Sequence, residues 1–280
     1  LEHPVGHCYR CDTPIEPKIS KQWFVSMKGM AEDALKVVKD KQIDIFPKKW
    51  EKVYYNWLEN IRDWCISRQI WWGHRIPAYY CDECDHIMVA KEKPGKCSKC
   101  GSNKLTQENY VLDTWFSSWL WPLSTLGWPE KTEELEYFYP TNTIVTGADI
   151  LFFWVARMVM AGKYIKDEIP FENIFLHGIV RDKKGRKMSK SLGNSPDPIE
   201  VIKEYGADAM RFSMLYNTSK GQDVFYSNKL IEMGRNFANK IWNVSRFALM
   251  HLENFKPEEI DVNNLELELQ DHWILNQLNL

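Results

Sequence analysis

Thr143-Ile-Val-Thr-Gly147-Ala-Asp149 and Asn173-Ile-Phe-Leu-His-Gly178 bracket the stretch that decides the fold. Each is a short β-branched or apolar run that stops at glycine, the pattern of a buried strand meeting a turn. Between them, Asp149 to Ala161 reads as a helix, rich in Ile, Leu, Phe, Trp, Val and Met. Strand, helix, strand at this spacing predicts a right-handed crossover in a parallel sheet. Ligands of such sheets gather outside the carboxyl ends of the strands, where Gly147, Asp149, His177 and Gly178 stand.

Upstream, a helix is expected over 26–40, capped by Ser26, with Met27, Met30, Ala31, Ala34, Leu35 and Val38 on one face. Ile43 to Phe46 is a short extended segment ending at Pro47. A second helix is expected from Lys48 to Asp63, with Trp50, Val53, Tyr54, Trp57, Leu58 and Ile61 inward. Residues 1–20, with Pro4, Pro14 and Pro17, read as a connector. Downstream of Pro198 the pattern is helical, interrupted at Gly206. A long helix is expected over 227–253, and another over Asp271–Leu280. A chain of 280 residues has room for one large domain or two smaller ones.

Downstream of the second strand, Lys183, Lys184, Arg186, Lys187 and Lys190 surround Gly185, Ser189 and Ser191. A flexible cationic loop of this kind suits a polyanion such as a nucleotide phosphate. The net charge of −2 argues against a global field for nucleic acid, so the polyanion site is local. No apolar run approaches the roughly 20 residues that span a bilayer, and residues 1–7 do not form a signal peptide.

Six of the seven cysteines fall in Cys-x2-Cys pairs, a pattern of metal binding in a reducing, cytoplasmic compartment. Cys81-x2-Cys84-x12-Cys97-x2-Cys100 is a four-thiolate set for one tetrahedral structural Zn²⁺. Gly101 follows the second pair where a positive φ is needed, and Asp85 holds the matching place in the first. Lys91, Lys93, Lys96, Lys99 and Lys104 offset the charge of the cluster. The insert is bounded at 79–110. Cys8 and Cys11 are half of such a set: either ordinary thiols or one side of a split zinc site. His3-Pro-Val-Gly-His7 imitates a nucleotide-binding His-x-Gly-His signature, but no strand precedes it and a proline-rich stretch follows.

Longer strings carry a family resemblance. Lys187-Met-Ser-Lys-Ser191 resembles the second signature of class I aminoacyl-tRNA synthetases. It lies in the expected order with Asp63-Trp-Cys-Ile-Ser-Arg-Gln-Ile-Trp-Trp-Gly-His-Arg-Ile-Pro77, Leu112-Asp-Thr-Trp-Phe-Ser-Ser-Trp-Leu-Trp-Pro122, Thr146-Gly-Ala-Asp-Ile-Leu-Phe-Phe-Trp154, His177-Gly178 and Tyr205-Gly-Ala-Asp-Ala-Met-Arg211. Along nearly its whole length the chain resembles the valyl-tRNA synthetases, with the isoleucyl and leucyl enzymes as near relatives.

The resemblance implies the second half of a Rossmann-like α/β catalytic domain at 26–225, including the zinc ribbon and the signature loop at 183–193. Residues 1–25 then return from an editing insert, and 226–280 open a helical anticodon-binding domain. It implies an internal segment of a longer enzyme, inactive alone because the His-x-Gly-His half and the editing domain are not among these residues. The implied activity is valine–tRNA ligation through valyl-adenylate. Its partners are valine, ATP with Mg²⁺ and tRNA(Val), and the enzyme is expected to be a monomer. A carboxylate is already ionised at neutral pH, so activation demands charge stabilisation at phosphate rather than a general base. By resemblance Lys187 and Lys190 supply it. Gly147, Asp149, His177, Gly178, Met188 and Ser189 contact ATP, and Trp115, Ile150 and Trp154 wall the valine side-chain pocket. The alternatives are another large aliphatic synthetase, isoleucyl or leucyl, and a non-catalytic zinc-ribbon module that binds RNA.

Overall fold

A computed structural model describes residues 3–8, 11–190, 192–252, 256 and 265–278. The chain divides into two compact units, Leu1–Ile179 with Ser219–Asp223, and Val180–Thr218 with Val224–Leu280.

The first unit is built on a three-stranded parallel sheet. Its central strand Phe171–His177 pairs with Asp44–Phe46 on one side and Thr141–Gly147 on the other. The expected strand–helix–strand unit is therefore present, with His177 opposite Gly147. Alternation along the central strand buries Phe171, Ile174 and Leu176. Helices Lys28–Lys39 and Ala156–Lys166 pack together over this core, contributing Ala31, Ala34, Val38, Ala156, Met158 and Val159.

Three local expectations change. Ser26 does not cap the first helix, which begins at Lys28; Asp63 Oδ1 instead accepts the Met27 amide at 3.1 Å. The second helix stops at Glu59, not Asp63, and its Val53 is exposed. Asn60 donates its side-chain amide to the Asn56 carbonyl at 2.8 Å, a local bond that competes with continued helix. The chain beyond is then free to deliver Asp63 to Met27. Third, the helix expected over 149–161 opens as a 3₁₀ turn at Ala148–Ile150, widens to a π-turn at Leu151–Val155, and is α-helical only over Ala156–Lys166.

The cysteine insert is a three-stranded antiparallel sheet in which Ala78–Cys81 pairs with Ile87–Val89 and Leu105–Gln107. Its small core consists of Cys81, Cys97 and Leu105.

The second unit pairs Val180–Arg181 with Val224–Phe225 in parallel. Helices Pro198–Tyr205 and Ala207–Tyr216 are separated by Gly206 at φ 94°, as its position in the sequence predicts. Asp197 caps the first through the Ile199 amide at 2.8 Å. The long helix Asn228–His251 packs on both, burying Ile231 against Val201 and Ala209. Leu269–Leu278 is also helical.

Candidate functional site

The carboxyl ends of two parallel strands bring four of the expected nucleotide residues together. Gly147 ends one strand and His177 the other, in register. Gly147 has φ −72°, an ordinary conformation, so its need is spatial: a Cβ there would stand 2.6 Å from Asp149 Oδ1 and 3.8 Å from His177 Cε1. Asp149 and His177 are exposed, and His177 Nδ1 lies 2.7 Å from the Gly178 carbonyl. At Gly178 a Cβ would collide with the carbonyl of Gln222. The result is a backbone ledge carrying one carboxylate and one imidazole, a surface suited to a ribose and a flat base.

Trp115 and Trp154 meet through the short helix Thr114–Ser118. Trp115 is its second residue, half-buried and stacked on Phe153 at 6.0 Å. Trp154 lies in the π-turn, and its indole N–H donates to the Ser118 carbonyl at 2.9 Å. Ile150 closes the 3₁₀ turn before it and is half-buried. A π-turn carries an extra residue per turn and so re-aims the side chains it holds. That re-aiming is what a reading at ordinary helical period misses.

In the second unit, Lys187 and Lys190 are exposed, while Met188 and Ser189 are half-buried. Ser191 lies outside the described residues. The loop is less free than its glycine and serines suggest. Asp182 accepts from the Lys184 and Arg186 amides, each at 2.9 Å, and from Arg186 Nε at 2.8 Å. Asn194 donates to Asp182 at 2.9 Å and accepts the Ser189 amide at 2.8 Å. The Asn194 amide, together with the Arg186 donors, holds the Asp182 carboxyl well below the usual carboxylate range. Neither Asp182 nor Asn194 stands out in the sequence; only an Asp three residues before a turn glycine hints at the first.

The four cysteines converge as their spacing predicts, with all Sγ atoms within 4.8 Å of one another. Cys81 and Cys100 are 3.4 Å apart, and Cys84 and Cys97 are 3.6 Å apart. Thiolates about a tetrahedral zinc lie about 3.8 Å apart, from Zn–S bonds of about 2.3 Å. The donor set therefore fits that ion. Both knuckles share one backbone pattern. The Asp85 amide donates to the Cys81 carbonyl at 3.0 Å and the Gly101 amide to the Cys97 carbonyl at 2.9 Å, with φ of 52° and 76° at those residues. Backbone amides at Cys100 and Lys99 pull the Cys97 thiol down to about 6.

Cys8 and Cys11 have the same framework. The Asp12 amide donates to the Cys8 carbonyl at 2.8 Å, the Cys8 amide donates to the Thr13 carbonyl at 2.9 Å, and Asp12 has φ 57°. His7 forms a bridge with Pro14, and among the described residues no helix opens directly after it.

The first unit also holds a cleft of 830 Å³ that contains none of the expected residues. Trp57, Ile61, Trp64 and Arg157 are among its walls. Arg157 is buried, its guanidinium 3.6 Å from the Trp64 ring centroid, and its Nε has no hydrogen-bond partner among the described residues. Burial pushes this guanidinium down to about 10.

The parallel sheet with its strand-end ledge, the four-cysteine insert and the pinned cationic loop are the features that the comparison with known proteins has to match. Residues 12–227 match the family model for tRNA synthetases class I (I, L, M and V), and the chain belongs to that family. It is 62% identical over 284 aligned residues to the valine–tRNA ligase of Fusobacterium nucleatum, covering all of this chain and 32% of that protein. It is 56% identical over 277 residues to the valine–tRNA ligase of Thermotoga maritima, covering 99% of this chain and 32% of that one. The chain thus spans about a third of the length of these curated relatives. Among solved structures, Mycobacterium tuberculosis methionyl-tRNA synthetase in complex with methionyl-adenylate superposes with a TM-score of 0.65 at 22% identity, covering 89% of this chain and 44% of that one. The ternary complex of Agrobacterium radiobacter K84 agnB2 LeuRS with tRNA and LeuAMS gives 0.59 at 23%, covering 74% and 30%. These two likenesses concern the fold.

Proposed function

We propose that the chain is part of a valine–tRNA ligase, an enzyme that activates valine with ATP and passes it to tRNA(Val), and that these residues do not form the adenylate alone. The observation that carries this reading is the similarity to valine–tRNA ligases along the whole of the chain. In this reading 26–225 belong to the catalytic domain, 1–25 return from an editing insert, and 226–280 open the anticodon-binding domain. Valine attacks the α-phosphate through its carboxylate, and pyrophosphate leaves. Lys187 and Lys190 stabilise the charge that develops on the phosphates. Asp149 accepts from the ribose hydroxyls, Gly147 and Gly178 let the nucleotide approach the backbone, His177 packs against the adenine, and Met188 also contacts ATP. Ser189 contacts the phosphates, and Mg²⁺ enters with ATP. Trp115, Ile150 and Trp154 enclose the valine side chain, where large rigid walls exclude longer substrates.

Cys81, Cys84, Cys97 and Cys100 hold a structural zinc, supported by thiol spacings that suit a closed tetrahedral site. Cys8 and Cys11 supply half of a second site, supported by the knuckle backbone they share with the first. The enzyme acts as a monomer in the cytoplasm. Among the described residues, no helix is long and apolar enough to cross a membrane.

The test is ATP–pyrophosphate exchange across a panel of amino acids, using a polypeptide of the relatives' full length that contains this chain. Valine should support exchange far better than isoleucine or leucine. Preference for either of those, or salt-sensitive RNA binding without ATP binding, would overturn the proposal.

A further inference from the structure

Asp113 takes no part in the roles assigned above, yet it is only 5% exposed and its carboxylate is shared among three elements. Oδ1 accepts the Trp115 amide at 3.1 Å, capping the helix Thr114–Ser118. Oδ2 accepts the indole N–H of Trp64 at 3.0 Å and Arg68 Nη2 at 2.5 Å. Trp64 lies in the strand Trp64–Cys65 and Arg68 in Ser67–Arg68. One carboxylate therefore ties the first turn of the helix to two strands. The same helix presents the Ser118 carbonyl to the Trp154 indole at its other end.

We propose that Asp113 is a positioning residue that sets the spacing between Trp115 and Trp154, and through it the affinity and selectivity of the amino-acid pocket. This rests on the assignment of those tryptophans to the pocket made above. The chemistry of a carboxylate is what the position demands. Its two oxygens accept in two directions at once, whereas an amide accepts in one. In Asp113→Asn the carbonyl oxygen faces Trp64 and Arg68, where a charged donor and a buried indole outbid a single backbone amide. The NH2 group then opposes the Trp115 N–H, donor against donor. The cap is lost, and the helix start moves with Trp115.

The experiment is steady-state exchange kinetics of Asp113→Asn in the full-length enzyme that contains this chain. The expected result is a valine KM raised on the order of tenfold, the scale of a lost helix cap, with ATP KM and kcat within about twofold and a reduced preference for valine over isoleucine. A valine KM unchanged from the parent, or a kcat loss with both KM values unchanged, overturns the proposal. If Asp113→Asn does not fold, Asp113→Glu serves, because it keeps two acceptor oxygens but moves them by a methylene from the Trp115 amide. A raised valine KM there supports the proposal, and an unchanged one overturns it. Absence of valine-dependent exchange in the parent enzyme is a separate outcome, which refutes the pocket assignment itself.

Discussion

His177 and Gly147 are partners across a parallel ladder, with the imidazole Cε1 3.8 Å from where a Cβ of residue 147 would stand. The pairing places one exposed ring beside one bare backbone at the end of the sheet, with the Asp149 carboxylate 2.6 Å from that same point. The site is a matter of what is missing as much as of what is present.

Gly147→Ala isolates that steric requirement. The backbone at 147 suits alanine, since φ is −72°, so the fold should be kept. The added methyl displaces the Asp149 carboxylate. In the full-length enzyme, KM for ATP should rise about tenfold, the scale of one or two hydrogen bonds to a charged group, with valine KM little changed. Equal ATP KM values for variant and parent would remove Asp149 from the nucleotide site.

Metal content separates the two cysteine sites. The full-length enzyme should carry about one zinc for each set of four thiolates. Cys97→Ser should lose one equivalent by elemental analysis and open residues 82–104 to proteolysis, because the insert buries little besides Cys81, Cys97 and Leu105. Cys8→Ser should lose a different equivalent and leave the insert resistant. Retention of full zinc in Cys8→Ser would make Cys8 and Cys11 ordinary thiols.

Asp182 gives the signature loop a pH signature. Its carboxyl is held low in the folded state, first by the Asn194 amide. A depressed carboxylate stabilises the fold above its unfolded pKa of about 4, and that contribution is lost only as pH falls through the lower folded value. Exchange protection of the Lys184 and Arg186 amides, corrected for intrinsic rates, should therefore be flat from pH 8 to pH 5. Asp182→Asn should reduce it across that range. Protection that decays between pH 7 and pH 5 in the parent would contradict the assignment.

Gly234→Ala tests the packing of the second unit. A Cβ at 234 would press into the Ala209 carbonyl and the Ser213 hydroxyl on the neighbouring helix. Overpacking at a helix crossing costs about 1–3 kcal/mol, so the denaturant midpoint of that unit should fall. An unchanged midpoint would show that the helices separate at little cost.

Much of this was legible in the residues. The parallel strands, the ledge at Gly147 and Gly178, and the cysteine knuckles with positive φ at Asp85 and Gly101 follow from local rules. Strand alternation, turn chemistry and ligand spacing act over a few residues. The differences arise where hydrogen bonding departs from the periodic pattern, as with the local Asn60–Asn56 bond that ends the second helix. Ser26 lost its capping role to Asp63, and the helix after Gly147 opened as 3₁₀ and π turns, placing the Trp154 indole on Ser118. Asp182 and Asn194 were silent because their bonds run across a loop, not along a periodic element.

By itself, then, the sequence determined the class of fold, the convergence of the four cysteines in the insert and the family. These depend on short-range patterns and contiguous strings that survive without coordinates. Only the tertiary structure decided that Asp113 joins three elements, that Asp182 pins the cationic loop, and that Arg157 lies against Trp64 with its Nε unpaired among the described residues. Those contacts join residues through the packing of whole elements, and a buried polar group takes whichever partner that packing brings within hydrogen-bond reach.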